Sequence, residues 1–206
     1  MLPIRYSFTP ANADLTGFAS NVTGATWTLT ATAATDNLAH RISIRNDSAT
    51  DHSGKTALLT GIDVNGHALT ETVTLPVGSA TIVSVSYFKT LTTVVPSATI
   101  GADTMDIGWA SQFISPTIGL NFRGGIIGLN VIITGTINYT IQQTMDNIQT
   151  LVRTSIGWMN NDDPTLVAAT TNQNGNYIAG VIATRLVVNS YSSGATIRYN
   201  ITQRNY

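Results

Sequence analysis

Thr, Val and Ile alternate with a period of two in short runs along most of the chain, and Gly, Asn, Asp and Ser cluster between the runs. Few folds accept this pattern. A period of two puts alternate side chains on opposite faces of a strand, and β-branched residues, stiff at χ1, fit a pleated surface better than a helix. In His40-Arg41-Ile42-Ser43-Ile44-Arg45, the histidine and isoleucines share a core face and the other three share a wet face. In residues 25–30, Trp27 and Leu29 share one face and the threonines the other. Residues 56–63 and 67–75 flank Val64-Asn65-Gly66, where Asn-Gly predicts a type I′ hairpin because both residues accept positive φ.

Residues 80–85 lead into 87–94, and 104–109 closes the first half. Patterning weakens over 110–125, around Pro116 and Gly124-Gly125. It resumes at 129–134, turns at Gly135 and continues through 137–144, which reads as a second hairpin. Residues 166–171, 177–188 and 196–203 read as further strands, with turns at 172–176 and 192–194. Only 145–152 has helical spacing, with Asp146 as a cap and Ile148, Leu151 and Val152 on one face. Roughly a dozen short strands predict an all-β fold, an antiparallel β-sandwich or jelly-roll. The chain divides either into two in tandem, 1–112 and 113–206, or not at all. No helices alternate with the strands, so a doubly wound nucleotide-binding fold is not expected.

Charge narrows the function classes. Charged residues are 10% of the 206 and net charge is −1, against a usual charged share of about a quarter. Lys and Arg are scattered singly, so neither nucleic acid nor a membrane surface is an expected partner. Residues 1–6 lack the apolar core of a secretory signal, and no apolar run is long enough for a membrane helix. With no cysteine, there can be no disulfide, thiolate metal site or thiol nucleophile. A surface so poor in charge lacks self-repulsion and suits dense packing beside copies of itself.

Catalytic patterns are sparse. His40 sits on an apolar strand face and reads as a core histidine. Asp51-His52-Ser53 contains triad residue types, but neighbours in an extended chain point apart, and no Gly-x-Ser-x-Gly elbow exists. His67 follows a turn. Asp162-Asp163 and Asp63-Val64-Asn65-Gly66 supply oxygens without the spacing of a calcium loop. Glu71 and Asp106 could be paired as glycosidase acids only on paper. Arg123-Gly124-Gly125 lacks the Lys-Ser/Thr of a phosphate loop. No enzyme activity and no cofactor or metal are expected. Trp27 reads as core, and Trp158, in a polar loop, is the aromatic best placed to touch a ligand.

Certain segments resemble a known group. Gly61-Ile62-Asp63-Val64-Asn65-Gly66, followed by Thr70-Glu71-Thr72, then Tyr87-Phe88-Lys89-Thr90 and Ile107-Gly108-Trp109, resembles accessory virion proteins of tailed bacteriophages. Tyr139-Thr140-Ile141-Gln142-Gln143-Thr144-Met145-Asp146, Ala183-Thr184-Arg185-Leu186 and the Ser193-Gly194 turn fit the same pattern, although Asn147 stands where a second Asp is frequent. The resemblance covers most of 56–206 and carries no catalytic residues over. It implies a virion structural protein, assembled in the host cytoplasm, that decorates or cements the capsid. Its partners would be capsid or other virion proteins and copies of itself. A neck or tail component is one alternative, and a carbohydrate- or receptor-binding sandwich another. Loops usually carry function, so the expected contact residues are Asn46, Asp51 and His52 in one loop, and Trp158, Asn160 and Asp162 in another.

Overall fold

The computed structural model describes residues 2–121, 126–150, 155–177 and 180–203. The strands among them are, in chain order, β1 (Leu2–Phe8), β2 (Asp14–Val22), β3 (Ala39–Asn46), β4 (Thr56–Ile62), β5 (Ala68–Thr74), β6 (Thr81–Phe88), β7 (Thr90–Pro96) and β8 (Met105–Ile114). Then follow β9 (Ile118–Gly119), β10 (Ile127–Thr134), β11 (Ile137–Thr144), β12 (Met159–Asn160), β13 (Gln173–Tyr177), β14 (Ala183–Tyr191) and β15 (Thr196–Gln203). The fold is all-β, and every described strand pairing is antiparallel. The chain forms two compact units: an inserted unit, Ala11–Phe113, and a flanking unit made of Met1–Pro10 and Ile114–Tyr206. Residues 1–10 look from sequence like the start of the first half. Instead β1 pairs with β15 along its whole length, from Leu2↔Gln203 to Phe8↔Ile197, which puts them in the flanking unit.

In the inserted unit the paired strands β2, β8, β3 and β6 pack against the three-stranded sheet β5-β4-β7. Ile42 and Ile44 of β3, Leu59 of β4, Leu91 of β7 and Met105 and Ile107 of β8 are fully buried in one cluster that joins both sheets. Each such side chain contributes about 1.5–3 kcal/mol on burial. Trp109 lies edge-on to Phe18 at 5.2 Å and donates its indole N–H to Asn12 O at 2.9 Å. Gly108 lets β2 close on β8, because a Cβ there would stand 1.8 Å from Asp14 O. Trp27 is buried as expected, but residues 25–29 form no strand. The alternation survives there without a ladder; Thr30 and Ala31 tie the segment's end to Phe18 O.

The β4–β5 hairpin also differs from the sequence reading. Of the Asn65-Gly66 pair only Gly66 has positive φ, so the turn is not type I′. Asp63 builds it instead. Its carboxylate accepts from Asn65 N and His67 N at 2.8 and 2.9 Å, and its backbone pairs with His67 O and Gly66 N.

The flanking unit sets β1-β15-β10-β13 in one sheet and β12-β11-β14, with β9 on β14, in the other. Gly135 therefore does not close a hairpin, since β10 pairs with β15 and β13 while β11 pairs with β14 and β12. It turns the chain from one sheet to the other at φ 78°. Ser192–Gly194 makes the same change between β14 and β15, and the two corners bond through Ser192 N to Thr136 O at 2.9 Å. Residues 172–176, read as a turn, are mostly edge strand β13, whereas 166–171 makes only a bridge from Ala169 to Tyr139. No helix forms over 145–150; Leu151 and Val152 of that reading, and Arg123-Gly124-Gly125, lie outside the described residues.

Candidate contact surfaces

The loop after β3 is built by two of its own side chains. Asn46 is buried at the strand end. Its amide donates to Thr50 O at 2.7 Å and Val77 O at 3.3 Å, and its carbonyl accepts from Ser48 N and Oγ at 2.9 Å. His52 is also buried. Lys55 Nζ can only donate, so His52 Nδ1, 3.1 Å away, accepts, and Nε2–H donates to Asp103 Oδ2 at 3.1 Å. Asp51 stays exposed. Its carboxylate accepts from Ser53 N at 2.8 Å, and the Ser53 bonds hold it below its ordinary value. Of the three expected contact residues in this loop, one faces solvent and two fix its shape.

The second loop pairs with β11 through β12, Gln142↔Asn160. Trp158 is half-buried, with the Arg185 guanidinium 4.1 Å above its ring. Gln142 Oε1 anchors that guanidinium, accepting from Nε at 2.9 Å and Nη2 at 2.7 Å. One ring face is thus taken by a cation–π contact. Asn160 and Asp162 are exposed. Asn161 is buried, donates to Gln143 Oε1 at 3.2 Å and accepts from Asp163 N at 2.9 Å. Asp163 caps the short 3₁₀ turn Pro164–Leu166, and its bonds from Thr165 lower its pKa. Beside this loop is a depression of ≈ 250 Å³ lined by Gln143, Met145, Asp162, Asp163, Asn176 and Tyr177, among others.

Beneath the loop, in the sandwich interior, Thr184 Oγ1 bonds Tyr177 OH at 2.9 Å, Tyr199 OH at 2.8 Å and Gln142 O at 2.9 Å. Burial pushes both phenols up, Tyr199 strongly, so they remain hydroxyl donors. Tyr139, also buried, is pushed up to about 12.

The residue types associated with catalysis are committed elsewhere. His40 is buried with Nε2 2.9 Å from Asp36 Oδ2 and Nδ1 3.2 and 3.1 Å from the carbonyls of Ala110 and Gln112. His67 faces Asp63 across its turn. Glu71 does not face Asp106. Its two oxygens accept from Val85 N and Ser86 N at 2.7 Å, where the edge strand β6 bulges away from β3. Asp106 is buried against Arg45 and Asn21 N. Among the described residues no three His, Asp or Glu side chains are grouped to hold a metal ion.

Sequence reading missed a third surface. The outer face of β5-β4-β7 carries Thr70, Thr72 and Thr74, then Thr56, Leu58 and Thr60, then Thr93 and Val95. Thr72, Leu58 and Val95 form one cross-strand row; Thr70, Thr60 and Thr93 form the next. Leu58 is 42% and Val95 52% exposed, and no strand residue on this face is charged. The Thr-x-Thr-x-Thr run of residues 70–74 was the available signal, but only pairing shows that two more strands extend it.

No protein-family model matches the chain, and no curated protein does. Among solved structures, the chain is similar to the crystal structure of the major capsid protein P2 from bacteriophage PM2, with 11% identity over 98% of this chain and 99% of that one. The TM-score is 0.21, too low to establish a common fold.

Proposed function

We propose that the chain is a non-enzymatic bacteriophage virion structural protein that docks on the capsid as a decoration or cement protein. The uncharged outer face of β5-β4-β7 carries this reading. It is a sheet surface of threonines around exposed Leu58 and Val95, of the kind that buries against a partner without desolvating charge. The resemblance of residues 56–206 to accessory virion proteins and the structural use of each histidine support the same reading. A docked face need bury only a modest area per copy, because many copies on one lattice act together. A neck or tail ring would use the same face in a head-to-tail contact between copies.

Co-sedimentation of the purified chain with capsids lacking it tests the docking face. The parent chain pellets with the particles. Leu58→Lys, whose side chain is already solvent-exposed, stays in the supernatant while melting at the parent temperature. Equal pelleting of parent and variant would remove this face from the account. The half-buried Trp158 ring and the depression beside the same loop, lined by Asp162, Asn176 and Tyr177 among others, are the observations behind a glycan-binding reading, and saturable binding on a glycan array, weakened by Trp158→Ala, would favour it.

A further inference from the structure

The sequence shows no basic cluster, yet the fold of the flanking unit makes one from its two ends. Arg5 of β1 lies opposite Asn200 of β15, and Arg198 of β15 lies opposite Ser7 of β1. The arginines are therefore diagonal neighbours on adjacent strands, a placement that sets Cα atoms about 7–8 Å apart. Both lie on the outer face, because Phe8, Ile197, Tyr199 and Ile201 point into the sandwich. Together with Ser7, Thr9, Thr134 and Thr196 they line a depression of ≈ 330 Å³ with no carboxylate in its lining.

The arginines have no counter-charge on this sheet face, whose other strand residues among those described are Pro, Ser, Thr, Asn, Gly and Ile. Neither guanidinium has an ion-pair partner among the described residues. Arg198 Nε is shielded from solvent and meets no acceptor among those residues. A buried donor without an acceptor is rare in folded proteins and marks a place where one belongs. The site is also held firmly. Ile132 lies opposite Arg198 and supports its stem, and an asparagine ladder runs beside it. Asn200 donates to Asn130 at 3.0 Å and Asn130 to Asn174 at 2.6 Å.

We propose that this depression binds a tetrahedral oxyanion, a phosphate or sulfate group, gripped by the guanidiniums of Arg5 and Arg198 and completed by the neighbouring hydroxyls. Two positive charges match a dianion, which a carboxylate is not, and the oxygens of a tetrahedral group left over from the two guanidinium forks can accept from the hydroxyls that line the depression. The group arrives either as the free anion or as the monoester headgroup of a sugar or lipid. The site belongs to the flanking unit and the docking face to the inserted one, and the proposal does not depend on the virion reading.

Isothermal titration of the full chain with inorganic phosphate, at constant ionic strength and against sodium acetate as control, tests the proposal. Saturable binding of phosphate over acetate is the expected result. Arg5→Gln and Arg198→Gln each weaken it by about tenfold or more, as expected for loss of a charge-assisted fork. Arg198→Lys, which keeps the charge and loses the fork, weakens it as well. Lys89→Gln, in the inserted unit, leaves it unchanged. Thermal unfolding without phosphate checks that each variant folds, and Arg5, fully on the surface, provides a readable variant if Arg198 does not. Glycerol 3-phosphate binding more tightly than phosphate identifies an ester as the source; the reverse identifies the free anion. Equal responses to phosphate and acetate, or phosphate binding unchanged by both glutamine variants, would overturn the proposal.

Discussion

At the scale of single residues, polar groups fix the local structure within each unit. Burial alone would raise the Asp36 carboxyl, but the bonds from His40, Ala11 and Leu38 outweigh it and hold the pKa below the ordinary value. That pair therefore stabilises the fold above the unfolded carboxylate pKa, and its contribution is lost as pH falls through the lower folded value. Asp47 is the opposite case. Asp47 itself is exposed, but partial desolvation of its carboxyl, then the Asp106 carboxylate across Arg45, hold it above the ordinary value. Its contribution is present below the unfolded pKa and is lost as pH rises through the folded one. Asp47→Asn is expected to raise the melting temperature at pH 7, with the difference fading below about pH 3 as the parent carboxyl protonates. Differential scanning calorimetry across that range checks the sign. Thr184→Val keeps the volume and removes the hydroxyl that bonds Tyr177, Tyr199 and the Gln142 carbonyl. We expect it to cost about 1–3 kcal/mol in urea unfolding.

At the scale of elements, strand edges and corners decide what the sequence alone can reveal. Alternation in β4, β7 and β15 was legible because one face of each packs into a core; β3 departs from its reading, because Ser43 on the expected wet face is buried and Arg41 and Arg45 beside it are half-buried. His40 and Trp27 could be placed in the core for the same reason. β13, Gln-Asn-Gly-Asn-Tyr, carries little apolar signal; its pairing with β10 makes it a strand. Gly135 looked like a hairpin turn because a sheet-to-sheet corner needs the same positive φ. Among the expected contact residues, Asp51, Asn160 and Asp162 are exposed, while Asn46 and His52 are turned inward by loop bonds that no local pattern encodes. Glu71 protects an edge: its carboxylate covers two N–H groups of β6 that β3 does not reach. Glu71→Ala is expected to cost about 1–2 kcal/mol and to speed hydrogen exchange at Val85 and Ser86. Unchanged exchange at those amides would show that the carboxylate is not their acceptor in solution.

At the scale of the molecule, the chain is two compact antiparallel units, and in sequence the first is inserted into the second. Low charge, legible from composition, becomes informative once the fold gathers uncharged threonines, Leu58 and Val95 onto one sheet face. The virion reading depends on what covers that face. Immunogold electron microscopy of intact virions, with antibody against this chain, tests it most directly. The account predicts gold on the particles, spread over the head surface for a decoration protein and confined to one vertex or the tail for a ring component. Virions that carry no gold, while the same antibody labels the purified chain, would contradict it.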